Sequence, residues 1–263
     1  MIRLIASDLD GTLLDEHSNL PKDFFEVFDK LNARGIPFLA ASGRAYPALK
    51  SFFEARAEQM DFICDNGATL VSKGRVIDTQ LLDMALIHEM VEACDAFNRH
   101  LLVVLCDSEK AYHRPAGKAV QLLLDKYYGL PYKVKTFREV KSGITKLTIN
   151  TLTGSCHKLY DYLEACFGHR VNIAVSGERC VDVMKKGVSK GAALRTLQET
   201  LGVSYDETMA FGDYYNDIEM LGCAKYSFVM ENANPDMRRF GNYIAKSNKE
   251  NGVLETIREI VLK

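Results

Sequence analysis

Short apolar runs alternate with longer stretches of helical spacing in the first part of the chain, and each run ends in a polar turn. Ile2–Ser7 is apolar and β-prone and stops at Asp8-Leu9-Asp10-Gly11-Thr12. From Pro21 to Ala33 apolar residues recur at helical spacing, with Phe24, Phe25, Val27, Phe28 and Leu31 as a buried stripe and Gly35 as the stop signal. Ile36–Ala41 is a second run, ending at Ser42-Gly43-Arg44. Ala45–Ala57 predicts another helix, and Phe62-Ile63-Cys64 a third strand before Asp65-Asn66-Gly67. The alternation predicts a parallel α/β sheet. Ligands bind such sheets beyond the carboxyl ends of the strands, where the turns at 8–12, 42–44 and 65–67 all fall.

The middle of the chain has a different rhythm. Thr69–Val71 and Arg75–Asp78 flank Ser72-Lys73-Gly74 as a hairpin. Helices are expected near 84–98, 116–128 and 155–167, and strands near 101–106, 144–150, 171–175 and 180–184. This segment has no phosphate-type turn of its own and reads as a second small domain inserted into the first. The opening pattern resumes at Gly187, with a helix from Lys190 to Gly202 and a strand Thr208–Phe211 ending in Gly212-Asp213. A helix begins at Tyr214–Leu221, Tyr226–Met230 is strand-like, and Gly252–Leu262 is a terminal amphipathic helix.

Length and composition change this picture little. A chain of 263 residues can bury a core in one large domain or two modest ones. With 33 basic residues against 35 acidic, charge makes no case for nucleic acid or membrane as a partner. A small anionic ligand stays open, because a local site can be positive on a neutral protein. The 7 cysteines form no C-x-x-C and read as reduced, mostly buried thiols. No signal peptide and no apolar run of membrane-spanning length is seen, so a cytoplasmic protein is expected.

Four polar clusters carry the candidate chemistry: Asp8 with Asp10, Ser42-Gly43-Arg44, Lys190, and Asp213 with Asn216 and Asp217. Alone, each reads as an ordinary turn, cap or solvated lysine. Together, at one predicted sheet edge, they fit phosphoryl transfer. A phosphate ester is dianionic, so an attacking carboxylate needs neutralising charge, which Mg²⁺ held by carboxylates and a nearby Lys would supply. Asp8 can then attack phosphorus to give an aspartyl-phosphate. Asp10 would share the face of Asp8 in a regular strand, protonate the leaving alkoxide and then deprotonate the hydrolytic water. Gly11 allows a sharp turn that frees backbone N–H groups for phosphoryl oxygens, to which Ser42 adds a hydroxyl and Gly43 an amide.

On these residues the chain resembles the haloacid-dehalogenase superfamily. Asp8-Leu9-Asp10-Gly11-Thr12-Leu13 matches the first family motif and Ser42-Gly43-Arg44 the second. Lys190 in Gly187-Val188-Ser189-Lys190-Gly191 matches the third, and Gly212-Asp213-x-x-Asn216-Asp217 the fourth. Asn66-Gly67-Ala68 and the long insertion between the second and third motifs resemble the Cof-type subfamily. The resemblance implies a Rossmann-like parallel-sheet core with helices on both faces, formed by 1–82 and 187–263, and an inserted α/β type-II cap at 83–186. It implies Asp8 as nucleophile and Mg²⁺ ligand, and Asp10 as acid/base that also ligates Mg²⁺ through its main-chain carbonyl. Asp213 completes the metal set, while Ser42, Gly43, Lys190 and Asn216 bind the transferring phosphate. Asp217 orients Lys190 or the metal waters, with Asn66 a further supporting residue. One departure is Glu231, where relatives usually have Gly before Asn232-Ala233, which implies a changed turn beside the site.

The expectation is therefore a Mg²⁺-dependent phosphatase of a small phosphorylated metabolite such as a sugar phosphate, monomeric or a small homo-oligomer. The rivals are a phosphosugar mutase on the same scaffold and a non-catalytic phosphometabolite-binding module. The six histidines show no metal-ligand spacing and are set aside. In the inserted segment Arg114, Arg138, Arg170, Arg179 and Glu178 are weak candidates for facing substrate, and Ser176 and Asp182 stronger ones.

Overall fold

The structure, a computed structural model, describes residues 1–128 and 131–263. The chain opens with β1 (Leu4–Asp8), α1 (Phe24–Ala33), β2 (Phe38–Ala41), α2 (Tyr46–Phe53), β3 (Asp61–Cys64), β4 (Thr69–Ser72) and β5 (Arg75–Thr79). Next come α3 (Met84–Phe97), β6 (Leu102–Cys106), β7 (Ala111–His113), α4 (Lys118–Tyr128), β8 (Tyr132–Lys133), β9 (Lys146–Asn150), α5 (His157–Phe167), β10 (Val171–Gly177) and β11 (Cys180–Lys185). The chain closes with α6 (Lys190–Leu201), β12 (Thr208–Gly212), α7 (Ile218–Leu221), β13 (Tyr226–Met230), β14 (Tyr243–Ala245) and α8 (Gly252–Ile260).

The first sheet runs β14-β13-β12-β1-β2-β3-β4-β5, parallel from β14 to β3, with the β4–β5 hairpin antiparallel at its edge. Its inner strands β1, β2, β3 and β12 are buried on both faces, as a parallel sheet requires, while β5 and β14 at the edges are largely exposed. Ile5, Phe38, Phe62, Met209 and Phe211 pack against Phe24 and Leu31 of α1, Phe53 of α2 and Leu254 and Ile257 of α8. The alternate residues Leu4, Ala6, Leu39, Ile63 and Ala210 pack against Leu194 and Leu197 of α6 and Leu221 of α7. This is the expected α/β core with helices on both faces. From β1 the chain passes through α1 to β2 on one side, while β12 lies on the other. A crevice therefore opens at the carboxyl end of β1.

The second sheet runs β10-β11-β9-β6-β7-β8 and is antiparallel except for β7–β8. Val103, Leu105, Leu147, Ile149, Val181 and Val183 bury one face against α3 and α5. By the two-residue period of a strand, Lys146, Thr148 and Asp182 project from the other face. There Leu124 of α4 covers Leu102, Val104 and Cys106, and the remainder meets the first sheet.

The sequence pattern missed three short strands, β7, β8 and β14, and overextended α2. Glu54 takes φ 49°, which no α-helix continues through, so residues 54–59 form a 3₁₀ turn instead. Among the described residues no helix is long and apolar enough to cross a membrane.

Candidate active site

β1, β2, β3 and β12 deliver the candidate residues to one crevice. Burial of all five residues of β1 sets Asp8 at its carboxyl end. The strand stops there, so the pleat argument for Asp10 does not hold: Asp10 lies in the following turn, half-exposed. Gly11 makes that turn possible at φ 87°, and a Cβ on it would lie 2.3 Å from Asp213 Oδ2. The carboxylate of Asp10 is held by the Arg44 fork, Nε donating to Oδ2 at 2.8 Å and Nη2 to Oδ1 at 2.6 Å.

Lys190 opens α6, whose Ser189 cap accepts the Ala192 N–H. Its Nζ, completely buried, donates to Asp8 Oδ1 at 2.5 Å and Asp217 Oδ1 at 2.6 Å. The other oxygen of Asp217 accepts the N–H groups of Asp213 and Tyr214, both at 3.1 Å. Asp213, at the end of β12, accepts from Thr12 Oγ1 at 2.7 Å. Three carboxylates thus converge on one ammonium. Burial first, and then the Asp217 charge, pushes Asp8 well above the usual carboxylate range against the pull of Lys190. The same two causes push Asp213 up to about 7, opposed by the Thr12 hydroxyl. Burial works against the charge on Lys190, but Asp217 and Asp8 hold the ammonium above its ordinary range.

A divalent cation fits this donor set. Asp8, Asp213 and Asp217 can each bring an oxygen within 4.8 Å of the others, and one lysine leaves their charge under-compensated. Both oxygens of Asp217 are already engaged, which leaves Asp8 and Asp213 as the better-placed side-chain ligands.

Ser42, buried at the end of β2, accepts the Arg44 N–H on Oγ at 3.2 Å. Asn66 joins both sheets: Nδ2 donates to Asp182 Oδ2 at 2.6 Å and to Ser176 Oγ at 3.1 Å, while Oδ1 accepts from Asn216 Nδ2 at 3.0 Å. Asn216 is thus brought to the site edge but engaged with Asn66. Ser176 and Asp182 reach the site through Asn66, and Asp182 is buried there. By contrast Arg114 pairs with Asp95, Arg138 with Glu92 and Arg170 with Glu89, all on the inserted segment itself. Asn232 Nδ2 donates to the Gly11 carbonyl at 2.8 Å despite the preceding Glu231.

Sequence reading missed Thr12, the Arg44 fork on Asp10, and Lys146, whose Nζ donates to the Gly43 carbonyl. Thr12 and Arg44 stand inside the first two motifs, so their position was a signal. Lys146 sits in an ordinary apolar strand and gave none.

A model of the haloacid dehalogenase-like hydrolases matches residues 5–257. The 5-amino-6-(5-phospho-D-ribitylamino)uracil phosphatase YbjI of Escherichia coli K12 is 31% identical over 99% of this chain and 96% of its own. An HMP-PP phosphatase of Escherichia coli O8 is 31% identical over 90% of this chain and 87% of its own. Among solved structures, SMU.1108c from Streptococcus mutans superposes with a TM-score of 0.94 at 29% identity over the whole of both chains. A haloacid dehalogenase-like hydrolase from B. subtilis shares the fold, with a TM-score of 0.87 at 21% identity over 99% of this chain and all of its own. With the family match spanning both sheets, the chain belongs to the haloacid dehalogenase-like hydrolases, as one of their phosphatases.

Proposed function

We propose that the protein is a Mg²⁺-dependent phosphatase that moves a phosphoryl group from a small metabolite onto Asp8 and then to water, in a crevice capped by residues 83–186. The observation that carries this is the buried Lys190 ammonium, 2.5 Å from Asp8 and 2.6 Å from Asp217 amid three carboxylates. Asp8 and Asp213 would hold Mg²⁺ by their side chains and Asp10 by its main-chain carbonyl. When bound, the ion supplies the positive charge that lets a carboxylate meet a dianionic ester.

Each residue then has a task. An Asp8 oxygen forms a bond to phosphorus while the ester oxygen leaves and takes a proton from Asp10. In the second half Asp10 recovers that proton from water, the water oxygen attacks phosphorus, and the acyl-phosphate bond to Asp8 breaks. Lys190, the Ser42 hydroxyl, the Gly43 amide and the Asn216 amide hold the phosphoryl oxygens. Asp217 keeps Lys190 aimed at Asp8. The cap, whose Ser176 and Asp182 reach the site through Asn66, excludes bulk water and reads the leaving group.

The test is phosphate release with and without Mg²⁺ over a metabolite panel including hexose phosphates and 5-amino-6-(5-phospho-D-ribitylamino)uracil, the compound named for a relative. Asp8→Asn is the blank: it should release no phosphate while melting as a folded protein. Turnover near the wild-type rate in that variant would remove Asp8 as nucleophile. Isomerisation of a hexose 1-phosphate without free phosphate would favour a mutase.

A further inference from the structure

All three carbonyl oxygens of Ser42-Gly43-Arg44 are held. The Asn66 N–H donates to the Ser42 carbonyl and the Asp65 N–H to the Arg44 carbonyl, each at 3.0 Å. Between them Nζ of Lys146 donates to the Gly43 carbonyl. The first two donors belong to the turn that ends β3, in the same sheet as the loop they hold. The third arrives from β9, in the other sheet.

Lys146 is built into that position. Its neighbours Leu147 and Ile149 are buried toward α3 and α5, so the pleat aims Lys146 at the crevice side. Its side chain is 5% exposed and lies 3.4 Å from Asp182 Oδ2 and 3.9 Å from Asp65 Oδ1. Asp182 is fixed in turn by Thr148 Oγ1 and by Asn66 Nδ2, both at 2.6 Å. Burying an ion pair is expensive, and apolar residues of similar volume would pack two units together at least as well. The charge is accounted for by what it reaches.

The Gly43–Arg44 peptide is thereby fixed at both ends, its carbonyl by Lys146 and its N–H by Ser42 Oγ at 3.2 Å. That peptide leads into the Arg44 fork on Asp10. The bracket on its other side is strained. Asp65, Asn66 and Gly67 take φ of 50°, 57° and 106°, a left-handed run that two non-glycine residues keep only where surroundings over-determine it. Thr145 Oγ1, donating to Asp65 Oδ2 at 3.2 Å, helps to hold it from the second sheet.

We infer that Lys146, anchored by Asp182, is a positioning residue through which the cap sets the phosphate-binding loop, so that Ser42-Gly43-Arg44 is fully ordered for phosphate only when the two sheets are together. This rests on the phosphatase reading of the site. It differs from a role in recognising the leaving group, because the contact is to the loop backbone.

The test uses the full chain with Lys146→Met, Lys146→Arg and the charge-balanced Lys146→Met/Asp182→Asn. Steady-state kinetics are measured on two phosphomonoesters with unlike leaving groups, p-nitrophenyl phosphate and a hexose phosphate, with inorganic phosphate as competitive inhibitor. Both Met variants should lose roughly tenfold to a hundredfold in kcat/KM, Lys146→Met by the same factor on both esters, as a misplaced binding group does. They should also bind inorganic phosphate about tenfold more weakly, while Lys146→Arg keeps most of both. An unchanged phosphate inhibition constant overturns the inference, and so does a loss confined to one ester, which would put Lys146 on the leaving group. If neither Met variant folds, Thr148→Val, which frees Asp182 on one side only, decides: it should weaken phosphate binding, and a wild-type constant overturns the inference. A wild-type protein inert toward every ester would sink the phosphatase reading itself. An active wild type with an indifferent Lys146→Met sinks only this one.

Discussion

Asp10 shows how much a single side chain's surroundings add to its motif. Its place two residues past Asp8 was legible in the sequence, but its partner was not, because Arg44 comes from the turn after a different strand. A guanidinium fork that occupies both carboxylate oxygens leaves neither aimed at a leaving group. If Asp10 is the general acid, substrate must draw one oxygen away. Asp10→Asn should therefore cut turnover of an alkyl phosphate by about 10²–10⁴-fold, the usual worth of a positioned acid/base. On p-nitrophenyl phosphate, whose leaving group departs without a proton, transfer to Asp8 should suffer less than hydrolysis of the acyl-phosphate. Rapid-quench measurement should then find phosphorylated protein accumulating in the variant. Near-normal steady turnover of the alkyl ester would remove the role.

At the scale of elements, hydrophobic period recovered the long helices and the buried strands. Their signal is repeated over many residues, as in the Phe24, Val27, Phe28 and Leu31 stripe of α1. The short strands β7, β8 and β14 escaped because two or three residues carry no period. The turn Asp65–Gly67 was visible as a turn, but not as a strained bracket between sheets. Its strain and its buried acid depend on Thr145 and Lys146, some 80 residues on. Burial pushes Asp65 up to about 6 from an ordinary 3.8, against the pull of Lys146. A raised carboxylate favours the folded state while protonated, so its contribution is present in full below about pH 4 and is lost as pH rises through about 6. Denaturant titrations should find the wild type losing on the order of 2 kcal/mol between pH 4 and pH 7 relative to Asp65→Asn. Equal losses in the two proteins would mean that Asp65 titrates in the fold as it does in the unfolded chain.

Over the whole molecule charge nearly cancels, at a net of −2, and this is why composition said nothing about a metal or an anion. The cancellation is not local. Asp8, Asp213 and Asp217 share one buried ammonium at the seam where three segments of the chain meet, so folding gathers repulsion that a divalent cation would relieve. The consequence has opposite signs in two proteins. Without metal at pH 8, Asp213→Asn should be more stable than wild type, because it removes a carboxylate that burial and Asp217 already push up to about 7. With Mg²⁺ the order should reverse. Saturation at a hundred times the dissociation constant stabilises by about 2.7 kcal/mol, roughly 5–10 °C in Tm for a chain of this size, and Asp213→Asn should gain little of it. Thermal melts in EDTA and in a Mg²⁺ series read both arms. An Asp213→Asn protein less stable than wild type in EDTA would mean that Thr12 and the turn geometry around Gly11, not charge repulsion, set the energetics of the seam. A Mg²⁺ shift of equal size in both proteins would move the cation away from Asp213 altogether.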